Sequence, residues 1–248
     1  MAEKVRQTSL RNPVSAAEIT AGKRNALGEG GYGRVFSAHI RGVMCAVKEF
    51  PSNSGAKHRN LESSNHEKAY RALKRLKKQH FIPVPIMTEP PYLVQELVGY
   101  NRPGAEVVSM GAVMHSSSPK LKKQVAKKVK EAFQWLGKAG IIHMDVSPSN
   151  VMVVFKGSKL LDLKVIDFGI SRIIGRPVKN DNINLMHLNN VHITRNGVAY
   201  NPRANIIVRN PGGDHHLNEK LIDSNQANLL KAHRTEALML QKFLLDNA

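Results

Sequence analysis

Apolar and polar positions change period several times along the chain, and each change marks an element. Residues 26–40, ALGEGGYGRVFSAHI, pass from a glycine-rich run to Arg34-Val35-Phe36-Ser37-Ala38-His39-Ile40, whose alternation predicts a half-buried strand. A turn at Arg41-Gly42 leads into VMCAVKEF, a second strand. Residues 61–78, LESSNHEKAYRALKRLKK, switch to helical spacing. Their apolar stripe runs through Ala69, Leu73 and Leu76, and extended backwards it reaches His66 and Glu62. FIPVPIM and PPYLVQELVGYN predict two strands with a proline-rich turn between them, and residues 101–118 read as a loop. Ser118-Pro119 is an N-cap followed by a first-turn proline. It opens the helix PKLKKQVAKKVKEAFQWLGK, with Leu121, Val125, Val129, Ala132, Phe133 and Leu136 on one face and Gly140 as its stop. VMVV and LDLKVI, separated by Lys156-Gly157-Ser158, predict a β-hairpin. Residues 1–20 have no clear period and predict a flexible leader.

Composition narrows the class. A chain of 248 residues with 42% hydrophobic content has room for one larger domain or two lobes. No apolar run is long enough to span a bilayer, and the polar amino terminus lacks the apolar core of a secretory signal. One cysteine, Cys45, excludes an internal disulfide and suits a reducing, intracellular compartment. Its place inside an apolar strand predicts a core residue. The net charge of +18 favours anionic partners such as nucleotides, nucleic acid or acidic proteins. Much of it sits on the solvent faces of the two long helices. Arg6-Gln7-Thr8-Ser9 offers a basic residue three before a serine, a candidate site for modification by a basic-directed kinase.

The candidate chemistry lies at 141–169, IIHMDVSPSNVMVVFKGSKLLDLKVIDFG. A hairpin places its two ends close together, so Asp145, Asn150 and Asp167 should converge although Asp145 and Asp167 are 22 residues apart. Two carboxylates and a carboxamide form an oxygen-rich site suited to Mg²⁺, which usually shares its shell with phosphate and water. Upstream, Gly28, Gly30 and Gly33 with Val35 form G-x-G-x-x-G-x-V. Glycine lets a backbone approach phosphates closely. In a dinucleotide fold this motif should open a helix, whereas here a strand follows it, so the motif is a hairpin tip.

Together these motifs resemble the protein-kinase signatures G-x-G-x-x-G-x-V, V-A-I-K, H-R-D-x-x-x-x-N and D-F-G. The resemblance implies an α+β, two-lobed fold: an antiparallel sheet lobe over about 21–98 and a mainly helical, shortened lobe over about 99–248. It also implies roles. Lys48, in Ala46-Val47-Lys48, would contact the ATP phosphates and pair with a helix glutamate. Gly28, Gly30 and Gly33 would cover those phosphates. Val35, Ala46 and Met152 would sandwich the adenine, with Glu96 to Val98 giving it backbone hydrogen bonds and Gln95 behind it. Asp145 would accept the substrate hydroxyl proton, and Asn150 and Asp167 would hold metal. For the helix glutamate the resemblance favours Glu67, 19 residues after Lys48. Periodicity instead puts Glu67 on the far side with Arg71 and Lys74, leaving Glu62 as the alternative. Glu67 is the expectation carried forward.

Several positions depart from the family. Met144 replaces the arginine that pairs with a phosphorylated activation loop, and Ser147 replaces a lysine that touches the γ-phosphate. No A-P-E occurs: residues 194–203 only faintly resemble an activation-segment end, and Asp223 is a candidate brace for the catalytic loop. Only 79 residues follow Gly169, as in compact viral or bacterial-effector kinases. The expected function is ATP- and Mg²⁺-dependent phosphorylation of serine or threonine in proteins, without activation-loop phosphorylation. The alternatives are a small-molecule kinase on the same core, or a catalytically weak binding module engaging a host protein or nucleic acid through its basic helices.

Overall fold

The computed structural model describes residues 12–30, 33–51, 55–89, 91–114, 118–143, 145–169, 171–173, 192–193, 198–201 and 206–209. Arg6–Ser9, Met144 and Asp223 lie outside them, as does most of 194–203.

The amino-terminal part is an antiparallel sheet with the strand order β1-β2-β3-β5-β4. Its strands are β1 (Lys23–Gly30), β2 (Gly33–Ile40), β3 (Val43–Glu49), β4 (Pro85–Ile86) and β5 (Tyr92–Glu96). The alternation read over 34–40 is the register of β2, in which Phe36, Ala38 and Ile40 are buried with Val43, Cys45 and Val47 of β3 in one core. FIPVPIM contributes less strand than expected. Residues Gln79–Phe81 form a 3₁₀ turn and only Pro85–Ile86 pair with β5, because the prolines at 83 and 85 remove ladder donors.

Within the expected leader, residues 12–20 are seated on the sheet and include the start of a helix. Ser15 caps a helix, α1 (Ala16–Gly22), and Glu18 completes a capping box. Val14 and Ile19 are fully buried in the sheet's core. Arg41 clamps the segment, donating to the Asn12 carbonyl at 2.9 Å and to Glu18 at 2.7 and 2.9 Å. That guanidinium holds the Glu18 carboxyl down at about 2. The segment is polar at its surface, but two apolar side chains suffice to seat it.

Helix α2 runs Gly55–Arg75, beginning earlier than its apolar stripe suggested. Its end is closed by Lys77 in a left-handed conformation (φ 55°) and by the Lys78 N–H donating to the Leu73 carbonyl at 2.8 Å. Residues 101–118 are not all loop. Val107 and Val108 pair with the later hairpin as β6 (Glu106–Ser109), and α3 (Met110–Met114) buries Met110 and Val113.

Helix α4 (Pro119–Lys138) begins at Ser118, whose hydroxyl accepts from the Leu121 N–H at 3.3 Å. All six residues of its predicted stripe are buried, the five larger ones each contributing roughly 1.5–3 kcal/mol of apolar transfer and Ala132 less. Gly140, at φ 76°, turns the chain out of the helix into β7 (Ile141–Ile142). The hairpin follows as β8 (Val151–Lys156) and β9 (Lys159–Val165), turning on Gly157 at φ 56°. It joins β6 in the order β6-β8-β9, and its inner face packs on α4 and α2 in one core. β10 (Arg172–Ile173) pairs with β7. The strands β11 (His192–Ile193), β12 (Val198–Asn201) and β13 (Ile206–Arg209) form a separate antiparallel sheet. Among the described residues no helix is long and apolar enough to cross a membrane.

Candidate active site

The hairpin tip between β1 and β2 carries the three glycines, with Gly28 opposite Val35 and Gly30 opposite Gly33. Their surroundings separate them. A Cβ on Gly28 would meet nothing within 4 Å, leaving open space above the strand. One on Gly33 would lie 2.1 Å from the Glu49 carbonyl oxygen, and its φ of 124° disfavours any side chain. Gly33 therefore also serves the close approach of β2 to the end of β3.

β3 delivers Ala46, nearly buried, and Lys48. Val35 lies opposite Lys48 across β2–β3, and Gln95 lies opposite Ala46 across β3–β5. Beyond β5 the Glu96 N–H donates to the Val84 carbonyl at 2.9 Å, and its carboxylate accepts from the Val84 N–H at 3.2 Å. Val98 is buried beside Gly99, whose φ is 79°. Met152, on β8, is half-buried. Cys45 is a core residue, and burial together with Glu96 pushes its thiol up to about 12.

The partner of Lys48 is Glu62, not Glu67. Lys48 Nζ lies 2.6 Å from Glu62 Oε2 and 3.9 Å from Asp167 Oδ2. Glu67 instead pairs with Arg71 at 2.9 Å on the exposed side of α2. The reason is helical phase. Because α2 begins at Gly55, Glu62 already lies within regular helix, and Glu62, His66, Ala69 and Leu73 are all buried on one face. Burial, reinforced by Asp167, pushes the Glu62 carboxyl up to about 7 against the pull of Lys48.

Two buried polar residues of α2, Asn65 and His66, carry functions that the motifs did not single out. Asn65 Nδ2 donates to the carbonyls of Phe168 and Ser171 at 3.1 and 3.0 Å. His66 stacks on Phe168 with centroids 5.4 Å apart, and its Nε2–H donates to the Pro83 carbonyl at 2.9 Å. Burial draws its pKa down to about 4, so the ring is neutral. His66 belongs to the stripe that reaches Glu62, which was the signal available for it, and Asn65 had no such signal. Phe168 is buried between His66 and the ring of His143, 5.0 Å away edge-on. Burial lowers the pKa of His143, and its Nε2–H donates to the Ile166 carbonyl at 2.9 Å. Its backbone carbonyl accepts from the Ser171 hydroxyl at 3.2 Å.

The loop before the hairpin is held by its own side chains. Asn150 Nδ2 donates to the Asp145 backbone carbonyl at 3.0 Å and to Asp145 Oδ2 at 2.7 Å. The Asn150 carbonyl accepts from the Ile166 N–H at 2.9 Å, joining the two ends of the hairpin one residue before Asp167. Asp167 has φ 62°, rare for a residue with a side chain, and its Oδ1 accepts from the Gly169 N–H at 3.2 Å. Ser147 and Ser149 share a hydroxyl hydrogen bond of 2.7 Å. Asp145 is exposed and Asp167 partly so.

These donors fit a hard divalent cation. With its amide committed to Asp145, Asn150 presents a carbonyl oxygen, and Asp167 adds a carboxylate. Among the described residues no three His, Cys, Asp or Glu side chains gather into a metal cluster. A cation held by Asn150 and Asp167 would therefore complete its shell from phosphate and water.

Comparison with known proteins agrees with this geometry. The chain is 26% identical over 161 residues to the CTD kinase subunit alpha of Schizosaccharomyces pombe, a match spanning 60% of this chain and 24% of that protein. It is 27% identical over 165 residues to a probable serine/threonine-protein kinase of Dictyostelium discoideum, covering 64% of this chain and 17% of the relative. Over 87 residues it is 34% identical to serine/threonine-protein kinase PknB of Mycobacterium tuberculosis, covering 34% and 12% of the two chains. The matches thus span a quarter or less of these relatives' lengths. The protein kinase domain family matches residues 22–199 of the 248, from the start of the glycine-loop sheet past the D-F-G turn, and the chain belongs to that family.

Proposed function

We propose that the chain transfers the γ-phosphate of ATP, with Mg²⁺, to serine or threonine hydroxyls of proteins. The observation that carries this reading is the Lys48 ammonium, held by Glu62 at 2.6 Å and 3.9 Å from Asp167. It places a fixed cation beside a candidate metal ligand, under an open glycine loop. Lys48 binds and orients the phosphates. Val35, Ala46 and Met152 enclose the adenine, with the backbone of Glu96 to Val98 at its edge. Gly28 leaves room for the phosphates, with Gly30 beside it and Gly33 at the base of the loop. Asp145, with Oδ2 engaged by Asn150, keeps Oδ1 for the substrate hydroxyl and takes its proton as the oxygen attacks the γ-phosphorus and ADP leaves. Asn150 and Asp167 would hold Mg²⁺, which would supply neutralisation of the phosphate charge.

Serine at 147 removes one cation from around the transferring phosphate, so turnover is slow relative to family members that keep it. Methionine at 144 leaves no guanidinium for a phosphorylated loop to pair with, so the enzyme needs no such activation. The setting is a reducing intracellular compartment, and the substrates are proteins.

Metal-dependent transfer of labelled γ-phosphate to a generic protein acceptor tests the reading. Transfer is expected from the intact chain and abolished in Asp145→Ala and Asp167→Ala. Phosphatase treatment is expected to leave the rate unchanged. Transfer that survives Asp145→Ala, or that goes to metabolites and not to protein, overturns it.

A further inference from the structure

Away from the cleft, α4 and the hairpin edge enclose a groove of about 630 Å³, within the range of ligand-binding pockets. Arg102, Lys127 and Lys128 line it together with the apolar Leu160 and Leu161. None of these residues belongs to the candidate active site.

Two carboxylates also border the groove, and both already have partners. Glu131 pairs with Lys128 at 3.0 Å and Lys78 at 3.9 Å. Asp162 accepts from the Leu163 N–H at 2.8 Å and lies 4.0 Å from Lys164. Arg102 and Lys127 are exposed, and among the described residues neither has a carboxylate within ion-pair distance. The groove is therefore electropositive on balance, and His80 on its wall registers this. Partial burial and then Lys128 lower its pKa, with Lys78 and Lys164 adding to them against Asp162.

We propose that this groove docks an acidic stretch of a partner protein that carries apolar residues between its carboxylates. Arg102 and Lys127 would take the carboxylates, and Leu160 and Leu161 the apolar side chains. A nucleic-acid strand fits less well. Its unbroken line of phosphates would run past Glu131 and Asp162, and His80 is the one ring among the lining residues, with no Phe, Tyr or Trp to give successive bases a stacking platform. The proposal stands apart from phosphate transfer, since docking is measured without nucleotide.

Fluorescence anisotropy on the full chain tests it. The probe is a labelled dodecapeptide alternating glutamate and leucine, and the comparison is a single-stranded DNA dodecamer. Arg102→Glu with Lys127→Glu is set against Lys68→Glu with Arg75→Glu, which changes net charge equally on the exposed side of α2. Thermal melting verifies folding, and Arg102→Gln with Lys127→Gln replaces the groove variant if it melts early. The groove variant should weaken peptide binding about tenfold or more, a loss of ~1.4 kcal/mol, while the control changes it less than about twofold. The His80 ring, followed by NMR, should titrate at higher pH once peptide fills the groove. Equal weakening by both variants reduces the effect to overall charge and overturns the proposal. So does tighter binding of the DNA that the groove variant abolishes, or the absence of peptide binding at submillimolar concentration.

Discussion

Removing the carboxylate of Glu62 separates the structural assignment of the Lys48 partner from the one favoured by motif spacing. Lys48 and Glu62 are 14% and 9% exposed and 2.6 Å apart. A buried pair in such contact contributes little net stability, because burial of both charges offsets their attraction. The rise of the Glu62 carboxyl to about 7 is the same opposition seen from one partner. Removing one partner is costly by contrast, about 3–5 kcal/mol for a well-buried pair. Glu62→Ala frees the ammonium to swing toward Asp167, already 3.9 Å away, which relieves part of that cost. A stability loss of ~3 kcal/mol is expected on unfolding, and kcat/KM should fall roughly a hundredfold because the Lys48 ammonium loses the carboxylate that holds it. Glu67→Ala removes an ion pair with Arg71 whose side chains are 27% and 62% exposed, and should change kcat/KM and stability by less than about 0.5 kcal/mol. Both variants are compared by labelled-phosphate transfer at saturating Mg²⁺ and by thermal melting. If Glu67→Ala loses activity while Glu62→Ala keeps it, the phase argument for α2 is refuted.

Three further outcomes follow from the same packing. Asn65→Ala leaves the buried carbonyls of Phe168 and Ser171 without their amide donor; a loss of about 2–3 kcal/mol is expected in denaturant unfolding, and one below 0.5 kcal/mol would show that Asn65 does not hold the D-F-G turn. Gly33→Ala drives a Cβ against the Glu49 carbonyl at a φ of 124° and should lower the melting temperature sharply, whereas Gly28→Ala meets open space and should barely change it; equal effects would contradict the packing at Gly33. His66 binds its proton near pH 4 when folded and near 6.5 when unfolded, so the unfolded chain takes up more protons between those values. Stability should therefore fall as pH drops from about 6.5 to about 4. His66→Leu should flatten that part of the stability profile, and an unchanged slope would show that the ring is not held neutral.

The amino-acid sequence by itself determined the features that repeat over a few residues. Alternation through Arg34–Ile40 specifies β2, the stripe from Leu121 to Leu136 specifies the buried face of α4, and Gly157 between two apolar runs specifies the hairpin that brings Asn150 beside Ile166. These are short-range matters of side-chain period and backbone freedom; the kinase resemblance was carried by the motif residues themselves, Gly28 to Lys48 and His143 to Gly169. Only the tertiary structure decided between Glu62 and Glu67, because the choice depends on where α2 begins and which face the sheet and Phe168 cover. It likewise decided that residues 12–22 are seated on the sheet, since Val14 and Ile19 gain their burial only from distant strands. Asn65 acquires its contacts across more than a hundred residues, a separation that no local pattern encodes. The groove beside Lys127 exists for the same reason: Arg102, in the turn before β6, meets Lys127 and Lys128 of α4 only because the β6-β8-β9 sheet packs on that helix.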